Sequence, residues 1–431
     1  MQEIFINKKF KIKSIVLNCV FHFLLFLTIY NPGFRFFNSL ALVFFISFIV
    51  VLYNLRTYFL FLQNRYMLTW IFILFSCLIW SFSVELTANH VLLRDAFSDF
   101  KSLRKRYWFE IVFLFFYTIL VSSSIVILIK KLGWNLSSLM RGFINISILS
   151  SLISILMFFV APIKKFIFNS VVNLDYYFAG ENELFDSFLY LRLNGIGSEL
   201  TFGYSLFQGL ALTFVLYLSL NYRSRLIYFA PFILFSILVN ARVGIIIPIV
   251  YLIFDFRRLV FFKKSFVKLG SFIFFVTILL GHIYSNPENL EILELIITAG
   301  FSSDSIIPHQ NALLGSHLFL PDNFGGILYG EGNYVFGNDK LDNNSDIGYI
   351  NIIHFGGIIF QLMLMALYFY FMLIETNKGG VSKVLIYSII FSMLLIQIKG
   401  NVFGLNGLTK AIIIIFLFLI TERRDHKIIN S

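Results

Sequence analysis

Twelve stretches of this chain are apolar over roughly the length that crosses a bilayer, and that succession leaves few folds open. They lie near 14–30, 36–54, 67–84, 108–129, 142–161, 201–221, 226–240, 243–254, 266–284, 347–374, 381–398 and 409–421. A spanning helix needs about 20 apolar residues, and in lipid only helices and closed barrels satisfy their own backbone. With 58% hydrophobic and only 13% charged residues, the stretches predict an all-α polytopic integral membrane protein of about 12 transmembrane helices. Residues 1–431 read as a single membrane domain. The short pair 226–240 and 243–254 flanks "NARVG" and reads as a broken or re-entrant unit.

An even number of spans puts both termini on one side. The N-terminus shows no cleavage pattern, and "NKKFKIK" before the first span reads as a cytoplasmic anchor. With the N-terminus inside, 21 of the 34 Lys and Arg residues fall on cytoplasmic segments, as the positive-inside tendency requires. The net charge of +11 is thereby assigned to loops rather than to nucleic acid. Segment 85–107 has the helical period of an in-plane amphipathic helix, and its five basic residues on the outer side are the least comfortable part of this topology. Cys19 and Cys77 lie within apolar stretches and give no disulfide framework.

Two outward loops are long, 162–200 and 285–346, and the second carries nine acids against Lys340 alone. Loops of this length are commonly functional. The layout assigns every Lys and Arg to a loop and leaves Glu110 as the acid within a span, which disfavours an ion-coupled transporter with charges at bilayer depth. Ionisable groups gather instead at the outer interface: Arg192, Glu199, Arg242, His282, His309, His317, Asp346 and His354.

Arg192 stands in "YLRLNGIGSE" with Asn194 and Glu199, and Arg242 in "VNARVGIIIP". A guanidinium at this interface suits a lipid diphosphate, whose oxygens accept two parallel hydrogen bonds. Snorkelling to headgroups is the plain alternative for either arginine. Asp346, just before the 347–374 span, reads equally as a helix cap or as a working carboxylate. His354 and Gln361, seven apart, share a helix face beside Gly356 and Gly357, so that His354 is either a packing residue or a base. His309, in "IIPHQNALLG", is a candidate general base in a water-accessible loop. No metal-ligand spacing or phosphate-cradling glycine motif is present.

"RLNGIGSE" before a span, "NARVG" between two short ones, "LYGEGNYVFGN" in a large outer loop and then "SDIGYINIIHFGGIIFQLM" resemble the O-antigen polymerases of the Wzy type, over residues 190 to 375 as motifs and over the chain as layout. The resemblance implies a C-type glycosyltransferase-like architecture in the bacterial inner membrane, with its site facing the periplasm. It implies a metal-independent enzyme without cofactors that transfers undecaprenyl-diphosphate-linked glycan onto the next lipid-linked repeat, with a chain-length regulator as a candidate partner. By the same analogy Arg192 and Arg242 correspond to outer-facing arginines, Asp346 to an acid before a late span, and Asn194, Glu199 and Tyr349 line the substrate. Related ligases carry His-Asn in the large loop, where this chain has His309-Gln310-Asn311. An O-antigen ligase and a lipid-linked oligosaccharide flippase are the alternative functions.

Overall fold

The computed structural model describes residues 2–34, 36–89, 107–168, 195–197, 202–222, 224–256, 318–333, 335, 345, 347–375, 383–404 and 406–429. Among these the chain is helical, with no strand. Its principal helices are α1 (Gln2–Tyr30), α2 (Ser39–Leu52), α3 (Leu55–Leu62), α4 (Arg65–Asn89), α5 (Tyr107–Lys131), α6 (Leu136–Phe159), α7 (Ala161–Phe166), α8 (Phe202–Tyr222), α9 (Ala230–Leu238), α10 (Ile246–Phe254), α11 (Phe324–Tyr329), α12 (Gly348–Glu375), α13 (Lys383–Ile396) and α14 (Gly407–Ile429).

Asparagines start several of them. The side chains of Asn38, Asn135 and Asn323 accept from the backbone N–H three residues on, at 3.1, 3.0 and 2.6 Å, opening α2, α6 and α11. Asn406 does the same for Thr409 in α14, at 3.0 Å. Each supplies an acceptor to a donor that the helix itself cannot satisfy.

Five described helices are long and apolar enough to cross a membrane, or up to six if α2 and α3 form one span. The chain is thus a helical membrane-embedded protein. Five shorter apolar helices, Ile15–Tyr30, Arg225–Leu238, Arg242–Phe254, Lys383–Ile396 and Gly407–Thr421, fall on further sequence-predicted spans. The 266–284 stretch lies outside the described residues, as do 85–107 beyond Asn89 up to Arg106.

Three expectations change. The 36–54 stretch is not one straight span followed by a loop, because α2 and α3 meet at a 98° bend. There the Asn54 side chain donates to its own helix at Val50 O, 2.5 Å, diverting the chain end from further helical growth. Second, Lys410 is not in a loop: it stands in the first turn of α14 and is 5% exposed. Third, Glu85 is also within a helix, 6% exposed, because α4 continues to Asn89 past the apolar stretch. Both residues, like Glu110 in the first turn of α5, lie near helix ends.

The chain forms two compact units. The first comprises Met1–Leu68, Phe116–Gly244 and Asn406–Ser431, the second Thr69–Phe115 and Ile245–Leu405. In the first, Ser147, Ser150, Ser151 and Ser154 recur on one face of α6 at helical spacing and are buried. They meet Tyr204 and Gln208 of α8, Ser236 of α9 and Tyr30 of α1. The Tyr204 hydroxyl lies 3.1 and 2.9 Å from the Ser150 and Ser154 hydroxyls, Gln208 Nε2 donates to Tyr30 at 3.0 Å, and Ser151 meets Ser236 at 3.0 Å. Ser147 Oγ donates to Gln208 Oε1. Such pairing lets polar groups sit among apolar helices, where an unpaired one is costly. In the second unit α11 lies on α12 and α10 on α13, with Phe254 and Phe391 rings 5.7 Å apart.

Candidate functional site

In the first unit one sequence motif packs on α6 and another on α8. Gly195, of "RLNGIG", sits against α6 where a side chain would meet Ser150 Oγ at 3.2 Å and Ser154 Oγ at 3.6 Å, the two hydroxyls that hold Tyr204. One residue further along α8, Ser205 Oγ donates to Ala241 O and accepts from Gly244 N at 3.0 Å. Gly244 and Gly209 bring the "NARVG" backbone into contact with α8, leaving no room for a β-carbon on either. Ser205 and Gly209 are a small-xxx-small pair, which lets backbones approach, and that signal was available in "SLFQG". Arg242 opens the 3₁₀ turn Arg242–Ile245 between the short helices and is partly exposed. Arg192, Asn194 and Glu199 lie outside the described residues.

The second unit holds a broken helix. At Gly357 the backbone of α12 is non-helical, φ 72° and ψ −179°, a conformation essentially restricted to glycine. The carbonyls this break releases find partners elsewhere. His354 O accepts from Glu331 N at 2.8 Å, Phe355 O from Gly332 N at 2.9 Å, and Gly356 O from the indole N–H of Trp80 at 2.9 Å. The contact is backbone on backbone: a β-carbon on Gly330 would strike Phe355 O, and one on Gly357 would strike Leu328 O. "LYGEG" and "HFGG" are therefore two halves of one junction. Neighbouring groups re-satisfying a broken membrane helix is the general condition for such breaks. Part of the 285–346 stretch, residues 318–333, is thus docked on α12.

Glu331 and His354 meet at this junction. Glu331 Oε2 lies 3.6 Å from His354 Nδ1, within ion-pair reach, and accepts from Asn333 Nδ2 at 3.3 Å. His354 is buried, with Nε2 3.2 Å from Phe319 O and its ring 4.8 Å from that of Phe319. Facing a carbonyl, Nε2 must carry a proton, and Nδ1 is turned toward the Glu331 carboxylate. This geometry makes His354 a holding residue more readily than a base. Its seven-residue spacing to Gln361 does not imply a shared face, since the helix is interrupted between them at Gly357.

Around Asp346, which itself lies outside the described residues, the chain is tightly held. Ser345 N donates to Val335 O at 3.0 Å, Ile347 N to Ser345 Oγ at 3.1 Å, and Asn351 Nδ2 to Ser345 O at 2.8 Å. Gly348 N, at the start of α12, donates to Gln397 O at 2.9 Å. Tyr349 gives its hydroxyl proton to Leu394 O at 2.8 Å, tying α12 to α13. His309 lies outside the described residues. Arg242 belongs to the first unit, and Tyr349 and His354 to the second.

Among the described residues no group of three or more His, Cys, Asp and Glu side chains is arranged to hold a metal. No family model, curated protein or solved structure matches the chain.

Proposed function

We propose that this protein is a surface-polysaccharide polymerase of the Wzy type, acting at the periplasmic face of a bacterial inner membrane. It moves a glycan from its undecaprenyl diphosphate to a hydroxyl of the next lipid-linked repeat. The observation that supports this reading is that glycines of both motifs pack within the first unit, Gly195 on Ser150 and Ser154 of α6, and Gly244, with Ala241, on Ser205 of α8. Both motifs carry an arginine, and a diphosphate leaving group needs fixed positive charge where its own negative charge develops. A carboxylate of the loop leading into α12 takes the proton of the attacking hydroxyl, with Asp346 the candidate legible in the sequence. Glu85 and Lys410, though buried, lie near helix ends rather than mid-span, which keeps a charge-lined transport path the weaker reading.

Deleting the gene and resolving the surface polysaccharide by gel electrophoresis tests this. Core bearing a single repeat is the expected product. Bare core assigns the protein to ligation or flipping, and an unchanged ladder removes it from the process.

A further inference from the structure

We propose that Glu331 is the proton acceptor of the transfer reaction and that His354 positions it; this rests on the polymerase reading above. Glu331 was one acid among nine in its loop, and the structure distinguishes it. Its backbone is pinned to the break in α12 by the Glu331 N to His354 O bond of 2.8 Å. It is flanked by Gly330 at φ 84° and Gly332 at φ 68°, so the backbone on both sides is shaped to present this one side chain. Oε2 is held by Asn333 and His354, at 3.3 and 3.6 Å. Oε1 lies over Gly326, where a β-carbon would come within 2.8 Å of it, and among the described residues it has no hydrogen-bond partner. The side chain is 28% exposed while that of His354 is 7% exposed. A partly exposed carboxylate with one oxygen beside Asn333 and a buried imidazole, and the other without a hydrogen bond among the described residues, has the form of a positioned base.

In the reaction the acceptor hydroxyl oxygen bonds to the anomeric carbon of the donor glycan. The bond from that carbon to the phosphate oxygen breaks, and its electron pair leaves with the lipid diphosphate. The hydroxyl proton passes to Glu331 Oε1, which later releases it to water. His354, bonded to Phe319 O and facing Oε2, touches no substrate: it is a positioning residue.

The test uses full-length protein in detergent and, as substrate, the lipid-linked repeat extracted from the deletion strain. Glu331→Gln, at unchanged elution volume and melting temperature, should lower kcat at least about a hundredfold with KM for the lipid-linked repeat within about threefold. Glu331→Ala should regain about tenfold with sodium formate, which gives the wild type nothing. His354→Gln should lower kcat with KM within about threefold, and formate should not restore it. Formate should likewise give Asp346→Ala nothing. Glu331→Gln within about threefold of wild type, a Glu331→Ala loss that formate does not restore, or formate rescue of Asp346→Ala instead would each overturn the assignment while leaving the polymerase reading intact. A deletion strain that still makes full-length polysaccharide removes both.

Discussion

Replacing Gly357 by alanine should undock the 318–333 segment from α12. The strain is the first contribution: at φ 72° and ψ −179° a side chain costs about 1–3 kcal/mol. The second is overlap with Leu328 O, relieved only by moving α11 and the chain after it away from the helix. That movement breaks the bonds from Glu331 N and Gly332 N to the released carbonyls, each worth about 1 kcal/mol. With strain taken near 1 kcal/mol, the sum is roughly 3 kcal/mol, which at about 1.4 kcal/mol per decade raises the open population on the order of a hundredfold.

Val335, 3% exposed and just beyond the docked segment, offers a reporter. In a background with Cys19 and Cys77 replaced by alanine, Val335→Cys should react slowly with a maleimide in the parent and on the order of a hundredfold faster with Gly357→Ala, where opening is the limiting equilibrium. Gly325→Ala is the control, because a β-carbon there meets nothing closer than Asn323 Oδ1 at 3.2 Å; it should stay within about threefold. Labelling of Gly357→Ala within about tenfold of the parent would refute both the docking and its energetics.

Arg242→Ala should abolish long chains at normal protein level, and Arg242→Lys should restore them only in part, since an ammonium lacks the planar fork; a wild-type ladder from the alanine variant returns Arg242 to interfacial snorkelling. A single cysteine at Ser316 should react with an impermeant reagent once the outer membrane is permeabilised, and labelling only after lysis would reverse the topology. Gln208→Leu should remove the bonds from Gln208 to Tyr30 and from Ser147 to Gln208 and lower the detergent melting temperature, at about 0.6 kcal/mol per interhelical bond; an unchanged melting curve would show these bonds to be dispensable.

Where hydrophobicity alone decides, the sequence was legible: the starts of α2, α6, α8 and α12 fall within a few residues of apolar stretches or their asparagine caps. What escaped it are features written in backbone rather than in side-chain polarity. The 347–374 stretch is apolar on both sides of Gly357, so no change of hydropathy marks the break. "YGEG" reads as a flexible turn until its N–H groups are seen to face the carbonyls of "HFG". His354 looks like a base because its two partners come from elsewhere in the chain, Phe319 and Glu331. Glu85 departs from expectation because α4 continues past the 67–84 stretch that apolar content defines, whereas Lys410 lies inside the 409–421 stretch and only its charge argued for a loop. The two arginine motifs, by contrast, were found by their glycines, and those glycines are what pack on α6 and α8.

The bond from Ser345 N to Val335 O joins the chain on the two sides of residues 336–344 at 3.0 Å. Doubling the length of such a loop costs only about 0.6 kcal/mol of closure entropy. Sequence drift can therefore lengthen, shorten or recharge "FGNDKLDNN" while Glu331 and the start of α12 stay where they are. An experimenter therefore has here a place to insert an epitope or a photo-cross-linker.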